Sequence, residues 1–214
     1  HLTLIKGGPE ERRRFVDAAY CQLRPGYLGG LREYMRALAQ RNNLLKDCRG
    51  HGDLAMMLDV WDQRLAMAGA RLLLDALLGQ DDKPLASALY QLFGGTRDAD
   101  IAAGFTTAGP HRDDLEVEIA GLPARVYGSQ GQQRSAVLAL KLAEATLLRT
   151  VTGEQPVALL DDVMSELDLS RQDYILNHIH GWQVFITCCD PGAVRRLAGG
   201  RAFRMQDGIL TPDG

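Results

Sequence analysis

Val157-Ala158-Leu159-Leu160-Asp161-Asp162 is the most informative segment of this 214-residue chain. Its apolar run fits a short strand that is covered on both faces, and two acids follow directly. In open α/β sheets, ligands bind at the carboxyl ends of the strands. Adjacent carboxylates repel each other unless a cation or a shared proton offsets the repulsion, and Mg²⁺ on a nucleotide phosphate is a suitable cation. The alternative is that both acids cap the turn that follows.

A second candidate site lies upstream, in Gly128-Ser129-Gln130-Gly131-Gln132-Gln133-Arg134. These residues precede an apolar helix that is predicted over 135–148 and is expected to be buried. Because Ser129 and Gly131 are small, backbone N–H groups stay open at the helix N-terminus, where the dipole favours an anion. The Ser129 hydroxyl adds a hydrogen-bond donor. The segment therefore indicates a phosphate-binding loop, and a simple N-capped helix after a turn is the alternative.

The second half of the chain alternates strands and helices around these two segments. The further predicted elements are a strand at 115–119, a turn at Ala120-Gly121, a strand at 124–127, a helix at 170–180, a strand at 183–187 and a hairpin that turns at Asp207-Gly208. An order of strand, helix, strand predicts parallel pairing with right-handed crossovers.

The first part of the chain has the pattern of an antiparallel helical arm. Pro9-Glu10-Glu11 favours the start of a helix, because proline suits the first turn and acids complement the positive end of the dipole. After a glycine break, a second helix shows apolar residues at helical spacing, and Asp53 can cap a third helix. Pro84 favours one more short helix. We expect the arm to occupy 1–98 and an α/β lobe to occupy 99–214.

The overall composition does not favour DNA binding, so a DNA-binding role would require a local basic surface. Hydrophobic residues make up 46% and charged residues 24%, which is ordinary for a packed protein. The net charge of −3 creates no global field that attracts nucleic acid. A solvated helix surface is the alternative to a DNA-binding face for the candidate cations, which are Arg12, Arg13, Arg36 and Arg41.

The first residues and the cysteines favour a cytoplasmic location. His1-Leu2-Thr3-Leu4-Ile5-Lys6 has no initiator Met and no signal-peptide features, so we expect a fragment of a longer protein. No apolar run reaches the roughly 18 residues of a membrane span. The four cysteines, which are Cys21, Cys48, Cys188 and Cys189, show no CxxC pair and no zinc-ligand spacing, and two of them are adjacent, which is poor geometry for a disulfide. Reduced thiols are therefore expected. His111-Arg112-Asp113-Asp114 lacks a third partner for a metal, so a polar loop is favoured there.

The motifs resemble those of a known family. Ser129-Gln130-Gly131-Gln132-Gln133-Arg134 is similar to the ABC signature motif, 157–162 to a Walker B strand, and Ser165-Glu166-Leu167-Asp168 to a D-loop. Leu4-Ile5-Lys6-Gly7-Gly8-Pro9 and Thr107-Ala108-Gly109-Pro110-His111-Arg112-Asp113-Asp114-Leu115 resemble stretches of the RecF family of ABC-type ATPases. The resemblance implies an α/β fold in which a helical arm precedes the C-terminal lobe of an ABC ATPase head, a parallel sheet with flanking helices.

The resemblance also implies roles for individual residues. Asp161 would hold Mg²⁺, and Asp162 stands where many ABC proteins carry the glutamate that orients the attacking water, so both are catalytic candidates. ATP bound to the other subunit of a dimer would face the signature motif, while Asp168 would lie at the dimer seam. The candidate cofactor-binding residues are therefore Ser129, Gln130, Gly131, Gln132 and Asp168.

RecF-like function, as the resemblance implies it, is DNA binding and ATP hydrolysis in recombinational gap repair. The implied partners are double-stranded or gapped DNA, RecR with RecO in the pathway that loads RecA, and a second copy in an ATP-dependent homodimer. The implied processes are DNA replication, DNA repair, recombination and the SOS response to DNA damage. A G-x-x-x-x-G-K-[ST] loop is absent from the sequence. ATP and Mg²⁺ are therefore expected only together with an N-terminal lobe, and hydrolysis by these residues alone is not expected.

Three other interpretations are weaker. An SMC-like structural ATPase head would need long heptad coiled coils, and the predicted helices are short. An ABC transporter subunit would carry a switch histidine after Thr187, where this chain has Cys188. A bare interaction module would be consistent with the missing phosphate-binding loop.

Overall fold

The chain forms two compact units, His1–Glu118 and Ile119–Gly214, in a computed structural model. The structure describes residues 2–47, 53–77, 82–164, 167–179, 181–189 and 200–212. Residues 99–118 belong to the first of these compact units. The domain boundary expected after residue 98 stays a prediction. Among the described helices, none is both long enough and apolar enough to cross a bilayer.

The first unit is built of helices. They are α1 (Thr3–Lys6), α2 (Pro9–Leu23), α3 (Tyr27–Lys46), α4 (Leu54–Leu77), α5 (Lys83–Gly95) and α6 (Arg97–Ala103), followed by a 3₁₀ turn (Pro110–Arg112). Pro9 occupies the first turn of α2 with two acids beside it, as predicted. The predicted helix after Pro84 is α5, which begins one residue earlier. Sequence reasoning missed α6.

Helices α3 and α4 form the centre of this unit and run antiparallel, as predicted. Arg41 of α3 pairs with Asp62 of α4, while Glu33, two turns earlier, lies near Arg71, so the helices point in opposite directions. Tyr34 and Phe93 are almost fully buried between them and α5. With 20 and 24 residues, α3 and α4 span about 30 and 36 Å. They lack the length of an SMC-type coiled coil.

A buried ionic network crosses the same unit. Arg41 has no exposed surface; its Nε lies 2.6 Å from Oδ1 of Asp62 and its Nη1 lies 2.7 Å from Oδ2 of Asp100. Nη1 also donates to Oγ1 of Thr106 at 2.9 Å. Asp62 accepts a further bond from Nε of Arg97, at 2.7 Å. The network thus joins α3, α4 and α6 to the loop that follows α6.

The second unit contains short strands and two longer helices. Its elements are β1 (Glu118–Ile119), β2 (Leu122–Pro123), α7 (Ala124–Tyr127), α8 (Gln130–Thr152), β3 (Ala158–Asp161), α9 (Leu169–His178), β4 (Val184–Thr187), β5 (Phe203–Gln206) and β6 (Ile209–Pro212). β3 and β4 pair in parallel, with Leu160 opposite Ile186, which confirms the predicted pairing. β5 and β6 form the predicted hairpin, in which Asp207 and Gly208 have φ of 51° and 78°, as a type I′ turn requires.

One strand prediction was wrong, and another was confirmed only at its last two residues. Residues 124–127 form the helical turn α7, in which the Ala124 carbonyl accepts from the Gly128 N–H and from the side-chain amide of Gln133 instead of from a neighbouring strand. The predicted strand at 115–119 shrinks to β1. The Leu115 N–H donates to the Asp114 carboxylate instead of to a neighbouring strand, and strands need such a neighbour to be stable.

Two burial predictions were also wrong. Leu160 is buried, but Leu159 is 75% exposed and its partner Phe185 is 57% exposed, so β3 is covered on one face only. Helix α8 was expected to be buried, yet Leu147 is 47% exposed. Both differences have one cause: α8 and α9 pack on the same face of the β3–β4 sheet and leave its other face uncovered. Helix α8 contributes mainly Leu138 and Leu142 to the core on that face.

Candidate nucleotide-facing site

The acid pair lies where the sequence places it, at the carboxyl ends of β3 and β4. Oγ1 of Thr187, the last residue of β4, donates to Oδ1 of Asp161. The Asp162 N–H donates to the Thr187 carbonyl at 3.0 Å and reaches its Oγ1 at 3.1 Å. Asp162 has φ of 51°, a left-handed conformation that aspartate tolerates better than most residues. Both acids are exposed, and Thr187 orients them; sequence reasoning had given Thr187 no role.

The donor set at this strand end fits Mg²⁺. Carboxylate and hydroxyl oxygens of Asp161, Asp162 and Thr187 are hard ligands. Within the described parts of the chain, no group of three or more His, Cys, Asp or Glu side chains is arranged to enclose a metal. Mg²⁺ commonly takes one or two protein carboxylates and completes its shell with water and substrate phosphate, and Asp161 and Asp162 could supply such carboxylates.

The signature-like segment forms the N-terminus of α8, and Ser129 is its N-cap. The Ser129 Oγ accepts from the Gln132 N–H at 3.3 Å, while Oε1 of Gln132 accepts from the Ser129 N–H at 2.8 Å. Because Ser129 uses only its acceptor capacity here, its O–H remains available as a donor. Helix geometry gives the N–H groups of Gln130 and Gly131 no intrahelical acceptor. The segment is thus a capped helix that still presents donors to an anion.

The turn before α8 is fixed by a buried glutamine that sequence reasoning missed. Gln133 is 4% exposed, and its Nε2 donates to the carbonyls of Ala124 at 3.0 Å and Gly128 at 3.1 Å. A methyl group on Gly128 would lie 2.5 Å from the Ala124 carbonyl oxygen, so the position requires glycine. The sequence signal for this role was the pair Gln132-Gln133, because neighbouring residues of a helix point in different directions and one of the two can face inward.

Asp168 caps the second helix of this site. Its Oδ1 accepts from Oγ of Ser170 at 2.7 Å and from the Arg171 N–H at 3.0 Å, and its Oδ2 pairs with Nη1 of Arg171 at 2.7 Å. The Ser170 hydroxyl, with the Arg171 N–H, lowers the pKa of Asp168 below its ordinary value. Its role at a dimer seam stays a prediction. Ser165-Glu166, the start of the D-loop-like segment, lies outside the described residues, as does Cys48. Among the described residues, Cys21, Cys188 and Cys189 take part in no disulfide.

Two of the four arginines proposed for DNA binding are not on the surface. Arg41 is the centre of the buried ionic network, and Arg12 is 5% exposed, with its guanidinium held 2.6 Å from Asp114. Burial inside the helical unit removes both from contact with a DNA backbone, which corrects the prediction. Arg13 is half-buried and donates to the Asp113 carbonyl, while Arg36 is exposed. These two remain candidates.

His111-Arg112-Asp113-Asp114 is a fixed polar loop. The His111 ring lies between the Tyr34 hydroxyl, 2.7 Å from Nδ1, and the Thr106 carbonyl, 3.1 Å from Nε2. Burial lowers the pKa of His111 below its ordinary value. The guanidinium of Arg112 donates to the Thr106 carbonyl through Nε at 3.2 Å and Nη2 at 3.1 Å.

Fold and site together define the class: a helical arm followed by the α/β lobe of an ABC-type ATPase head. No family model matches the chain. It is 39% identical to the DNA replication and repair protein RecF of Desulforudis audaxviator, over 99% of this chain and 67% of that protein. The RecF of Ruminiclostridium cellulolyticum is also 39% identical, over 87% and 60% respectively. A solved structure of the recombination mediator protein RecF with ATPrS, in the RecFOR pathway, superposes with a TM-score of 0.80 at 32% identity, covering 99% of this chain and 65% of that one.

The chain belongs to the RecF family of DNA replication and repair proteins. It spans 61%, 60% and 59% of the length of three RecF relatives, from Acetivibrio thermocellus, Ruminiclostridium cellulolyticum and Lachnoclostridium phytofermentans.

Proposed function

We propose that this chain is the signature-bearing part of a DNA-binding ABC-type ATPase that acts in recombinational gap repair. The observation that carries the proposal is the oriented pair Asp161 and Asp162, at the carboxyl ends of two parallel strands in a chain that resembles a RecF structure with an ATP analogue. Asp161, oriented by Thr187, would hold Mg²⁺ on the nucleotide. When bound, Mg²⁺ would neutralise charge on the phosphate oxygens.

The second carboxylate has a separate proposed task. Asp162 would accept a proton from the attacking water or orient it, since its backbone N–H is fixed by Thr187 and its carboxylate is exposed. Ser129 and the N–H groups of Gln130 and Gly131 would donate to the terminal phosphate of ATP held by the other subunit of a dimer, with Gln132 completing the cap and Asp168 at the seam. These 214 residues would need a phosphate-binding loop from another segment to hydrolyse ATP.

The test of the nucleotide site uses the full-length protein and two carboxylate variants. Asp162→Asn is expected to lower the rate of ATP hydrolysis by about 10²–10⁴-fold, the usual contribution of a general base. Asp161→Asn is expected to raise the Mg²⁺ concentration that half-maximal hydrolysis requires. Asp173→Asn, which removes an exposed carboxylate from α9, is the matched control and is expected to behave like the wild type. Normal hydrolysis by Asp161→Asn at limiting Mg²⁺ would refute the assignment.

We propose that the helical unit binds DNA. Arg13 and Arg36 are the remaining candidates for contacts with DNA phosphates. Reversing the charge of both residues is expected to reduce the slope of log affinity against log salt by about 0.9 for each phosphate that the protein no longer neutralises. Arg149→Glu, in the last turn of α8, serves as the control for a change of net charge. An unchanged salt slope would remove this surface from the proposal.

The proposed cellular role follows the RecF relatives. Partners would be RecR with RecO in RecA loading, double-stranded or gapped DNA, and a second copy of the protein in an ATP-dependent dimer. The proposed location is the cytoplasm.

A further inference from the structure

The N-termini of α8 and α9 lie beside one arginine. A methyl group placed on Gly131, in the first turn of α8, would lie 3.3 Å from Nη1 of Arg171, in the first turn of α9. The same Nη1 pairs with Oδ2 of Asp168, the N-cap of α9, at 2.7 Å. The Arg171 side chain is 41% exposed and the Asp168 side chain 52% exposed. Solvent, and therefore a ligand, can reach this side chain.

A cation is unfavourable at this place unless an anion accompanies it. The N-terminus of a helix carries a partial positive charge, which stabilises acids and opposes bases within the first turn. Arg171 stands in the first turn of its own helix and next to the first turn of α8. Asp168 supplies one compensating anion. Within the part of the chain that the structure describes, Asp168 therefore serves both the N-terminus of α9 and the guanidinium.

We propose that Arg171 contacts the terminal phosphate of the nucleotide that Ser129 and Gly131 face, exchanging its bond to Asp168 for a bond to that phosphate. The inference rests on the proposed nucleotide site and adds to it a residue outside the signature motif. Arginine suits the role because its planar fork binds phosphate oxygens in a bidentate manner. The exchange would connect nucleotide binding with Asp168, the residue expected at the dimer seam.

The position of Arg171 gives a second reason for glycine at position 131. Glycine there lets a phosphate approach the backbone, and it also leaves room for the guanidinium. A contact of 3.3 Å between a methyl carbon and Nη1 is closer than most Cβ contacts, so alanine at 131 would shift the guanidinium by a few tenths of an ångström. Gly131→Ala should therefore weaken ATP-driven dimerisation. In a protein that already carries Arg171→Gln, adding Gly131→Ala should have little further effect.

The experiment measures ATP-driven dimerisation of the full-length protein, by sedimentation or light scattering, over a range of ATP concentrations. Arg171→Gln is expected to raise the ATP concentration for half-maximal dimer by about 10- to 100-fold, the effect of losing a charge-assisted hydrogen bond. Arg171→Lys keeps the charge without the fork and is expected to lie between Arg171→Gln and the wild type. ADP has no terminal phosphate at this position, so its binding is expected to stay unchanged in both variants.

Controls separate the inference from the function on which it rests. Arg149→Gln removes an exposed arginine from the far end of α8 and is expected to leave the ATP dependence unchanged. If the wild type dimerises with ATP and Ser129→Arg does not, the proposed nucleotide site stands. An ATP dependence unaltered in Arg171→Gln would then overturn the role of Arg171 alone. Equal loss of ATP and ADP binding, or a lower melting temperature in Arg171→Lys with an unchanged ATP dependence, would assign Arg171 to the cap of α9 and also overturn the proposal.

Discussion

Replacing Arg41 with methionine is expected to destabilise the helical unit by about 3–5 kcal/mol, the cost of removing one partner from a buried ion pair. The side chains of Arg41, Asp62 and Asp100 have no exposed surface. Asp62 would keep its bond to Arg97. Asp100 would lose the cation 2.7 Å from its Oδ2 and keep only neutral donors, from Thr96 and Thr107, so most of the cost is expected at this buried carboxylate.

The assay for this variant is urea denaturation followed by tryptophan fluorescence. The chain has two tryptophans, and Trp61 lies on α4 while Trp182 lies in the second unit. In a Trp182→Phe background the signal therefore reports the helical unit alone. With an m-value of about 2 kcal/mol/M, the loss corresponds to a midpoint lower by about 2 M urea.

A matched pair of variants decides whether burial of the charge is the cause. Arg36 lies on the same helix and is exposed, so Arg36→Met is expected to change the free energy of unfolding by less than about 0.5 kcal/mol. Arg41→Lys keeps the charge and loses the fork, so a smaller loss than that of Arg41→Met is expected. If Arg41→Met and Arg36→Met differ by less than about 1 kcal/mol, pairing of the buried charges does not stabilise the unit.

Other positions give three further expectations for the free energy of unfolding. Gly109 has φ of 118°, and a methyl group there would lie 3.0 Å from Phe93, so Gly109→Ala should destabilise by about 2–4 kcal/mol in urea, more than the open Gly104→Ala. The pKa of His111 is lowered by burial. The unfolded chain therefore binds more protons, and the melting temperature should fall as pH drops below about 6.5, a dependence that His111→Gln should reduce. Gln133→Leu should cost about 1–3 kcal/mol, measured at Trp182, because the Gly128 carbonyl loses its side-chain donor and the Ala124 carbonyl keeps only the Gly128 N–H.

Local signals in the sequence predicted the elements that depend on neighbouring residues. Asp207-Gly208 specifies a turn by its own backbone preferences, and the hairpin formed as predicted. The apolar periodicity of α3 predicted its helix, because the spacing of buried positions is a property of the segment itself. The acid pair at the end of β3 was placed correctly for the same reason, since a strand that pairs in parallel brings its carboxyl end to the edge of the sheet.

The errors concern contacts between residues that are distant in the sequence. Arg41 has the appearance of a surface residue on an amphipathic helix, and its burial depends on Asp62 and Asp100, which are 21 and 59 positions away. Residues 124–127 have the composition of a strand, and the amide of Gln133 makes them a helical turn. Neither partner can be identified from periodicity, because many acids and amides in the chain would fit equally well.

The two interpretations of the loop before α8, a phosphate site and an N-capped helix, are compatible for a reason that lies in the chemistry of serine. The capping bond of Ser129 uses an acceptor lone pair of its oxygen, whereas a phosphate would use its proton. Asp168 is different, because an ionised carboxylate only accepts, and three donors already bind its two oxygens. A partner subunit that needs Asp168 must therefore bring a donor strong enough to join or replace one of these. The cap of α9 is the bond from the Arg171 N–H to Oδ1, whereas the Arg171 guanidinium binds Oδ2. The exchange proposed for Arg171 would therefore release Oδ2 for a partner at a dimer seam without uncapping α9.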